Sequence, residues 1–267
     1  MIPRISEGMK LETLRLSING PVASIVMARA ATANAIDGRF VRELGDVCAR
    51  LADEPGVRVA TLTGEGEAFC AGWAPEALSE AAAAPGLLWG RQGGDPFGCL
   101  ATLSMPVIAA INGDAFSAGL ELALACDVRI AGQRARFALP ETELGLLPLA
   151  GGGQRLPRIV GRGRALAMIL TGEVLDADAA YRAGLVSKVV PDSALTAEAE
   201  AIALSIARRG PIALRYAKEA VARGLDLTLE QALRYETDLT VILQTTRDRA
   251  EGVRAFLEKR SPEFEGK

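Results

Sequence analysis

The chain has 267 residues, 49% of them hydrophobic, with 30 Lys and Arg against 33 Asp and Glu for a net charge of −3. That is enough apolar mass for a substantial core, without the basic excess that a nucleic-acid footprint leaves. Histidine is absent, which excludes Ser-His-Asp and Cys-His catalysis, zincin motifs and His-ligated metals, and leaves acid–base work near neutral pH to carboxylates, Lys, Tyr or Cys.

The first segment alternates. Leu11, Leu14, Leu16 and Ile18 precede a turn at Asn19-Gly20-Pro21, and Val22, Ile25 and Val26 follow, predicting strand, turn and strand. From Arg39 to Ala52, Phe40, Val41, Leu44, Val47, Cys48 and Leu51 recur at helical spacing. Val57–Thr63 is a β-branched run ending at Gly64, hence a buried strand. A glycine-bearing loop spans Glu65–Ala74. Ser79–Gly98 is rich in Ala and Gly and reads as a helix followed by a mobile loop from Gly86.

Pro106–Ile111 is another strand, turned by Asn112-Gly113 into a helix over Ala118–Ala125. Short strands at Val128–Ile130 and Arg136–Leu139 lead to a glycine cluster at Gly151–Gly153 and a helix from about Gln154. Recurring strand, strand, helix units predict a layered α/β core over residues 1–195. Residues 196–267 read as helical throughout. Helices are predicted at Thr196–Arg209, Ile212–Arg223, Thr228–Thr246 and Arg247–Lys259, with Pro211 suited to the first turn of the second.

The four cysteines, Cys48, Cys70, Cys99 and Cys126, form no CxxC pair and read as small buried hydrophobes of a reducing compartment. Met1–Lys10 lacks the apolar stretch of a secretory signal, Met105–Ile111 is short and holds Pro106, and Glu121 interrupts Ala118–Cys126. The expectation is a soluble cytoplasmic protein without nucleic-acid or membrane partners.

Three segments could carry chemistry. In Ile111–Glu121 a buried strand turns into a helix through small residues, so a ligand could approach the unpaired N–H groups of the first helical turn. Taken alone, this reads first as a glycine-lined helix start built for close packing. Ser117 lacks the glycine of a nucleophile elbow, since Ala115 stands there, and lacks a His base. The second segment, Gly64–Trp73, follows a strand and could offer another N–H, though alone it reads as an ordinary loop. The third, Phe137–Glu141 with Gly145 and Gly151–Arg155, matches neither phosphate-loop pattern.

Together these segments resemble the enoyl-CoA hydratase/isomerase (crotonase-like) family over nearly the whole chain. The resemblance rests on the order and spacing of Phe69-Cys70-Ala71-Gly72, Asn112-Gly113 with Ser117–Ala123, Cys126-Asp127, Pro140-Glu141 with Gly145, Gly151–Pro157, Tyr181–Val186 and Glu251–Pro262. It implies an α/β fold with a repeated ββα spiral core and a C-terminal helical oligomerisation region, assembled as a homotrimer or homohexamer. It implies an acyl-CoA thioester substrate and no cofactor or metal beyond the coenzyme A of that substrate. By motif match, the backbone N–H groups of Trp73 and Ala118 would hold the thioester oxygen. Glu121 and Glu141 would serve a hydration, Glu121 orienting and deprotonating water and Glu141 delivering a proton to C2. Thr32, Ala71, Phe256 and Lys259 match coenzyme A contacts, although as bare sequence Phe256 reads as core and Lys259 as solvated.

The sequence departs from the family pattern at several places. Trp73 replaces a small residue, Ala74-Pro75 follows where an acid is usual, and Ala31 stands for a common Lys. Leu149 replaces a glycine next to the predicted site of the catalytic water; it also stands where dehalogenases of the family carry a nucleophilic Asp, against that branch. Trp73, Trp89 and Phe97 are expected to shape the acyl pocket. Hydration of a 2-enoyl-CoA is the leading reading, beside double-bond isomerisation and a non-catalytic acyl-CoA-binding role.

Overall fold

The structure, a computed structural model, describes residues 4–5, 9–83 and 94–267. Trp89 and the part of the Gly86–Gly98 segment up to residue 93 lie outside them. Strands β1 (Arg4–Ile5), β2 (Leu14–Asn19) and β3 (Val22–Met27) pair antiparallel. Leu14 and Leu16 on one strand, and Ala23, Ile25 and Met27 on the next, face inward as the period of two requires. Helix α1 (Gly38–Ala52) starts on Asp37, whose side chain accepts the Phe40 N–H at 2.8 Å. Its apolar stripe of Phe40, Leu44, Val47, Cys48 and Leu51 is buried.

The chain then runs through β4 (Val59–Gly64), α2 (Pro75–Ala83), the short α3 (Gly98–Ala101), β5 (Val107–Ile111), β6 (Ala115–Phe116), α4 (Ala118–Leu124), β7 (Val128–Gly132) and β8 (Arg136–Ala138). It continues through α5 (Gly152–Val160), α6 (Arg162–Thr171), β9 (Leu175–Asp176), α7 (Ala177–Arg182) and β10 (Lys188–Val190). The last helices are α8 (Leu195–Ala207), α9 (Pro211–Gly224), α10 (Leu229–Gln244) and α11 (Arg247–Glu258). The main sheet has the order β1-β2-β3-β4-β5-β7-β10, parallel from β3 onward. A second sheet, β6-β8-β9, stands beside it.

β5 is buried at all five positions, as befits a central parallel strand covered on both faces. One core fills the space between the main sheet, α1 and the second sheet. On the opposite face, Val59, Ile108, Ala110, Ile130 and Val190 meet Leu195, Ala199, Ala203 and Ala207 of α8. Alanines four apart let α8 lie close on the strands. Cys48, Cys70 and Cys126 are buried and Cys99 half-buried, all as free thiols. No helix among the described residues is long and apolar enough to cross a membrane.

Candidate active site

Two loops leave the carboxyl ends of β4 and β5 and are held against each other. The first, after Gly64, is held by two side-chain amides, the buried Asn34 and the half-buried Asn112. Asn34 Nδ2 donates to the carbonyls of Glu65, Ala68 and Phe69 at 3.0, 3.0 and 3.1 Å. Asn112 Nδ2 donates to Gly66 and Ala68, while its Oδ1 accepts the Gly64 N–H at 3.1 Å. Two single bridges then pin the loop: Ile36 to Trp73 and Cys70 to Ala115. In the first, Ile36 N–H donates to Gly72 O at 2.8 Å and Ala74 N–H donates to Ile36 O at 2.7 Å. Both bonds come from the neighbours of Trp73, so its own N–H faces away from the bridge, unspent on any backbone carbonyl.

The second loop ends at Ser117, which donates its N–H to Ala138 O at 2.9 Å and adopts φ 51° and ψ −128°. A non-glycine residue there is strained, a cost of roughly 1–3 kcal/mol that the surroundings must hold in place. The turn leaves Ala118 as the first residue of α4, where an N–H has no helical partner. Gly72, at φ 111°, presses on Ser117 from the first loop. The N–H groups of Trp73 and Ala118, 45 residues apart in sequence, thus come from two loops in van der Waals contact.

Glu121 lies one turn into α4 and is fully buried. Its Oε1 accepts the N–H groups of Ala150 at 2.7 Å and Gly152 at 2.8 Å. Gly152 is needed there, because a Cβ on it would meet Glu121 Cγ and Oε1 at 3.0 Å. Leu149 packs half-buried against the core just before Ala150. Oε2 of Glu121 has no protein partner. Burial drives the pKa of Glu121 up to about 7 against the two N–H bonds, and the neighbouring Glu141 carboxylate adds to the rise. Glu141 opens the short turn after β8 and is 4% exposed. Burial raises its pKa as well, opposed by the nearby Ser117 hydroxyl. That hydroxyl is not in hydrogen-bonding geometry, and neither Glu141 oxygen has a partner.

The Trp73 side chain is 7% exposed and stacks on Phe97, with ring centroids 6.1 Å apart and planes 15° off parallel. Phe97 N–H donates to Asp95 Oδ1 at 3.1 Å, Asp95 pairs with Arg155, and Arg155 Nη1 donates to Ala150 O at 3.0 Å. The aromatic pair is thereby tied to the loop that grips Glu121. The structure thus brings Trp73, Ala118, Glu121 and Glu141 to one place.

Thr32 and Ala71 are exposed, and they are joined through Ala33, whose carbonyl accepts the Ala71 N–H at 2.9 Å. A cavity of about 600 Å³ opens beside them, lined by Ala30, Ala33, Gly66, Arg134 and Arg136 among others. Phe256 and Lys259 lie exposed on and just after α11, with no hydrogen bond to the glutamate loops. Phe256 is 82% exposed rather than core. Asn34 and Asp95, which shape the site, carry no sequence signal of that role. Asn34 offers only its tolerance of a positive φ, here 58°, in a run of small residues.

Comparison with known proteins agrees with this architecture. The family model described as enoyl-CoA hydratase/isomerase matches residues 17–267. The chain is 38% identical over 262 residues to the probable enoyl-CoA hydratase echA8 of Mycobacterium bovis, covering 96% of this chain and 99% of that one. It is 39% identical over 252 residues to the 2,3-dehydroadipyl-CoA hydratase of Escherichia coli, covering 92% and 96%. The crystal structure of enoyl-CoA hydratase from Bacillus anthracis superposes with a TM-score of 0.90 at 38% identity, over 96% of this chain and 100% of that one. The α/β spiral fold with its helical C-terminal region is therefore the crotonase fold, and the chain belongs to the enoyl-CoA hydratase/isomerase family.

Proposed function

We propose that the protein is an enoyl-CoA hydratase, adding water across the C2–C3 double bond of a 2-enoyl-CoA to give a 3-hydroxyacyl-CoA. The observation that carries this is the pair of buried glutamates. Glu121 and Glu141 present three carboxylate oxygens without protein partners in one enclosed place, beside two backbone N–H groups left unspent. Water addition needs one proton taken and one given, and two carboxyls around one water do both.

The thioester oxygen sits on the N–H groups of Trp73 and Ala118. Glu121, held by Ala150 and Gly152, keeps Oε2 for the water and takes its proton as oxygen bonds to C3. The C2–C3 electron pair shifts toward the thioester oxygen, where the two donors stabilise the enolate. One such donor is worth about 3–4 kcal/mol. Glu141 then delivers its proton to C2, and a proton passing between the two carboxyls restores the starting state. Burial raises the pKa of both carboxyls, that of Glu121 to about 7, which brings the pair toward the range in which a proton can be exchanged.

Thr32 and Ala71 supply coenzyme A contacts beside the cavity at Ala33, and Trp73 and Phe97 wall the acyl chain. Phe256 and Lys259, exposed at the end of α11, serve a neighbouring subunit's coenzyme A. Exposed Leu229, Leu233 and Leu257, with Phe256, on the last two helices support assembly as a trimer or dimer of trimers through residues 196–267. Coenzyme A enters as part of the substrate and no further cofactor is required. The site of action is the cytoplasm.

The test is loss of the conjugated thioester absorbance with crotonyl-CoA, with Glu121→Gln and Glu141→Gln alongside. Turnover falling ~10²–10⁴-fold in each variant supports the assignment. A product with a shifted double bond instead of an alcohol makes the protein an isomerase. Binding without turnover makes it a non-catalytic acyl-CoA binder.

A further inference from the structure

The indole nitrogen of Trp73 is a buried donor with no protein acceptor. Such donors are rare, because burial removes the hydrogen bond that water would have made. Among the described residues, the other buried side-chain N and O atoms without partners are carboxylate oxygens of Glu121 and Glu141. All of these atoms belong to residues of the candidate site, and the indole nitrogen is the donor among acceptors. Its ring runs from the loop carrying the Trp73 N–H to Phe97. Through Asp95 and Arg155, Phe97 reaches Ala150 and so the Glu121 pocket. The indole that carries this N–H is thus part of the wall assigned to the acyl chain.

We propose that Trp73 is a specificity-determining residue whose indole N–H donates a hydrogen bond to a neutral oxygen, such as a keto, ether or hydroxyl group, on the acyl chain of the thioester. This rests on the acyl-CoA reading of the site. A donor buried without a partner favours any ligand that supplies an acceptor over one that leaves it unpaired. The acceptor is neutral because of what surrounds it. With Glu141 holding its proton and Asp95 paired with Arg155, the Glu121 carboxylate is left as an uncompensated negative charge in the site. An acyl chain ending in carboxylate would meet that excess of negative charge.

The experiment compares calorimetric affinities of hexanoyl-CoA, its keto analogues with the carbonyl at C4 or C5, and adipoyl-CoA, for the full chain and for Trp73→Phe, which keeps an aromatic ring and removes the N–H. The parent binds one keto thioester about tenfold tighter than hexanoyl-CoA, Trp73→Phe binds the two within about twofold, and adipoyl-CoA gains nothing. Equal binding of keto and plain thioesters by the parent, a preference that survives in Trp73→Phe, or a preference for adipoyl-CoA overturns the proposal.

A second readout needs no change at residue 73. In the ¹⁵N–¹H spectrum of the Trp89→Phe chain, the remaining indole resonance moves downfield with the preferred keto thioester and stays with hexanoyl-CoA. An unmoved resonance overturns the proposal. All these ligands are saturated, so failure to hydrate crotonyl-CoA would sink the hydratase reading while leaving this discrimination measurable.

Discussion

A methyl group on Gly72 would stand 2.7 Å from the Cβ of Ser117, closer than carbon atoms pack, and 3.2 Å from the Phe116 carbonyl. Gly72 also holds φ 111°, which L side chains rarely adopt. These two constraints set the spacing between the N–H groups of Trp73 and Ala118. Gly72→Ala is therefore expected to cost ~2–4 kcal/mol of stability. It should lower kcat on crotonyl-CoA by about 10²-fold by parting the donors. Thermal melts and steady-state kinetics check both. Unchanged kcat in a folded variant would remove Trp73 and Ala118 as a cooperating pair.

Gly152→Ala attacks the other half of the site. The new methyl would lie 3.0 Å from Glu121 Oε1 and 3.1 Å from Leu139 Cδ1, displacing the carboxyl from the N–H groups that orient it. We expect kcat to fall about 10²-fold while KM stays near the parent value. Gly153→Ala is the matched control, since a Cβ there meets nothing within 4 Å. In the helix it should hold or raise stability by about 0.5–1 kcal/mol.

Glu121 carries a pH signature. Its pKa rises from 4.5 to about 7 on folding, chiefly through burial. A group whose folded pKa is raised stabilises fully below its unfolded pKa, and that contribution is lost as pH climbs through the folded value. Ionised Glu121 thus costs about 3 kcal/mol above neutrality. The parent Tm should fall by roughly 5–10 °C between about pH 5 and pH 8 from this group, and Glu121→Gln should lack that share of the slope. Parallel melting profiles for the two chains would show that Glu121 titrates as an exposed acid does.

Asn34 is the brace of the first loop. Asn34→Asp keeps the size but replaces three donor contacts with a carboxylate facing the carbonyls of Glu65, Ala68 and Phe69. A loss of at least ~3 kcal/mol in urea unfolding is expected. A loss under about 1 kcal/mol would mean that Asn112 alone holds the loop.

Much of the scaffold is legible from local pattern. The alternation at Leu14, Leu16 and Ile18 and the helical spacing from Phe40 to Leu51 reflect one buried face each, so β2 and α1 stand within a few residues of their predicted limits. β6 and β9, two residues each, are not legible. They exist only because Ala115 and Phe116 meet Phe137 and Ala138 across the chain, and Arg136 meets Asp176. The seating of α8 on β4, β5 and β7 is likewise hidden, since alanines four apart look the same on a free helix.

In the site, Glu121 reads locally as a stray charge in an apolar helix, and only the ordered set of motifs draws attention to it. Asn34 and Asp95 escape notice for a different reason. Each acts through backbone groups or a partner far along the chain, which no local window contains.

The N–H assigned to the thioester at residue 73 is a main-chain atom in a bridge fixed by Ile36. Among the twenty amino acids, only proline at that position abolishes it. Every other single-codon change there leaves the donor in place while altering the wall that the acyl chain meets. Residue 73 is thus a position where substrate range can drift through successive mutations without passing through an inactive ancestor.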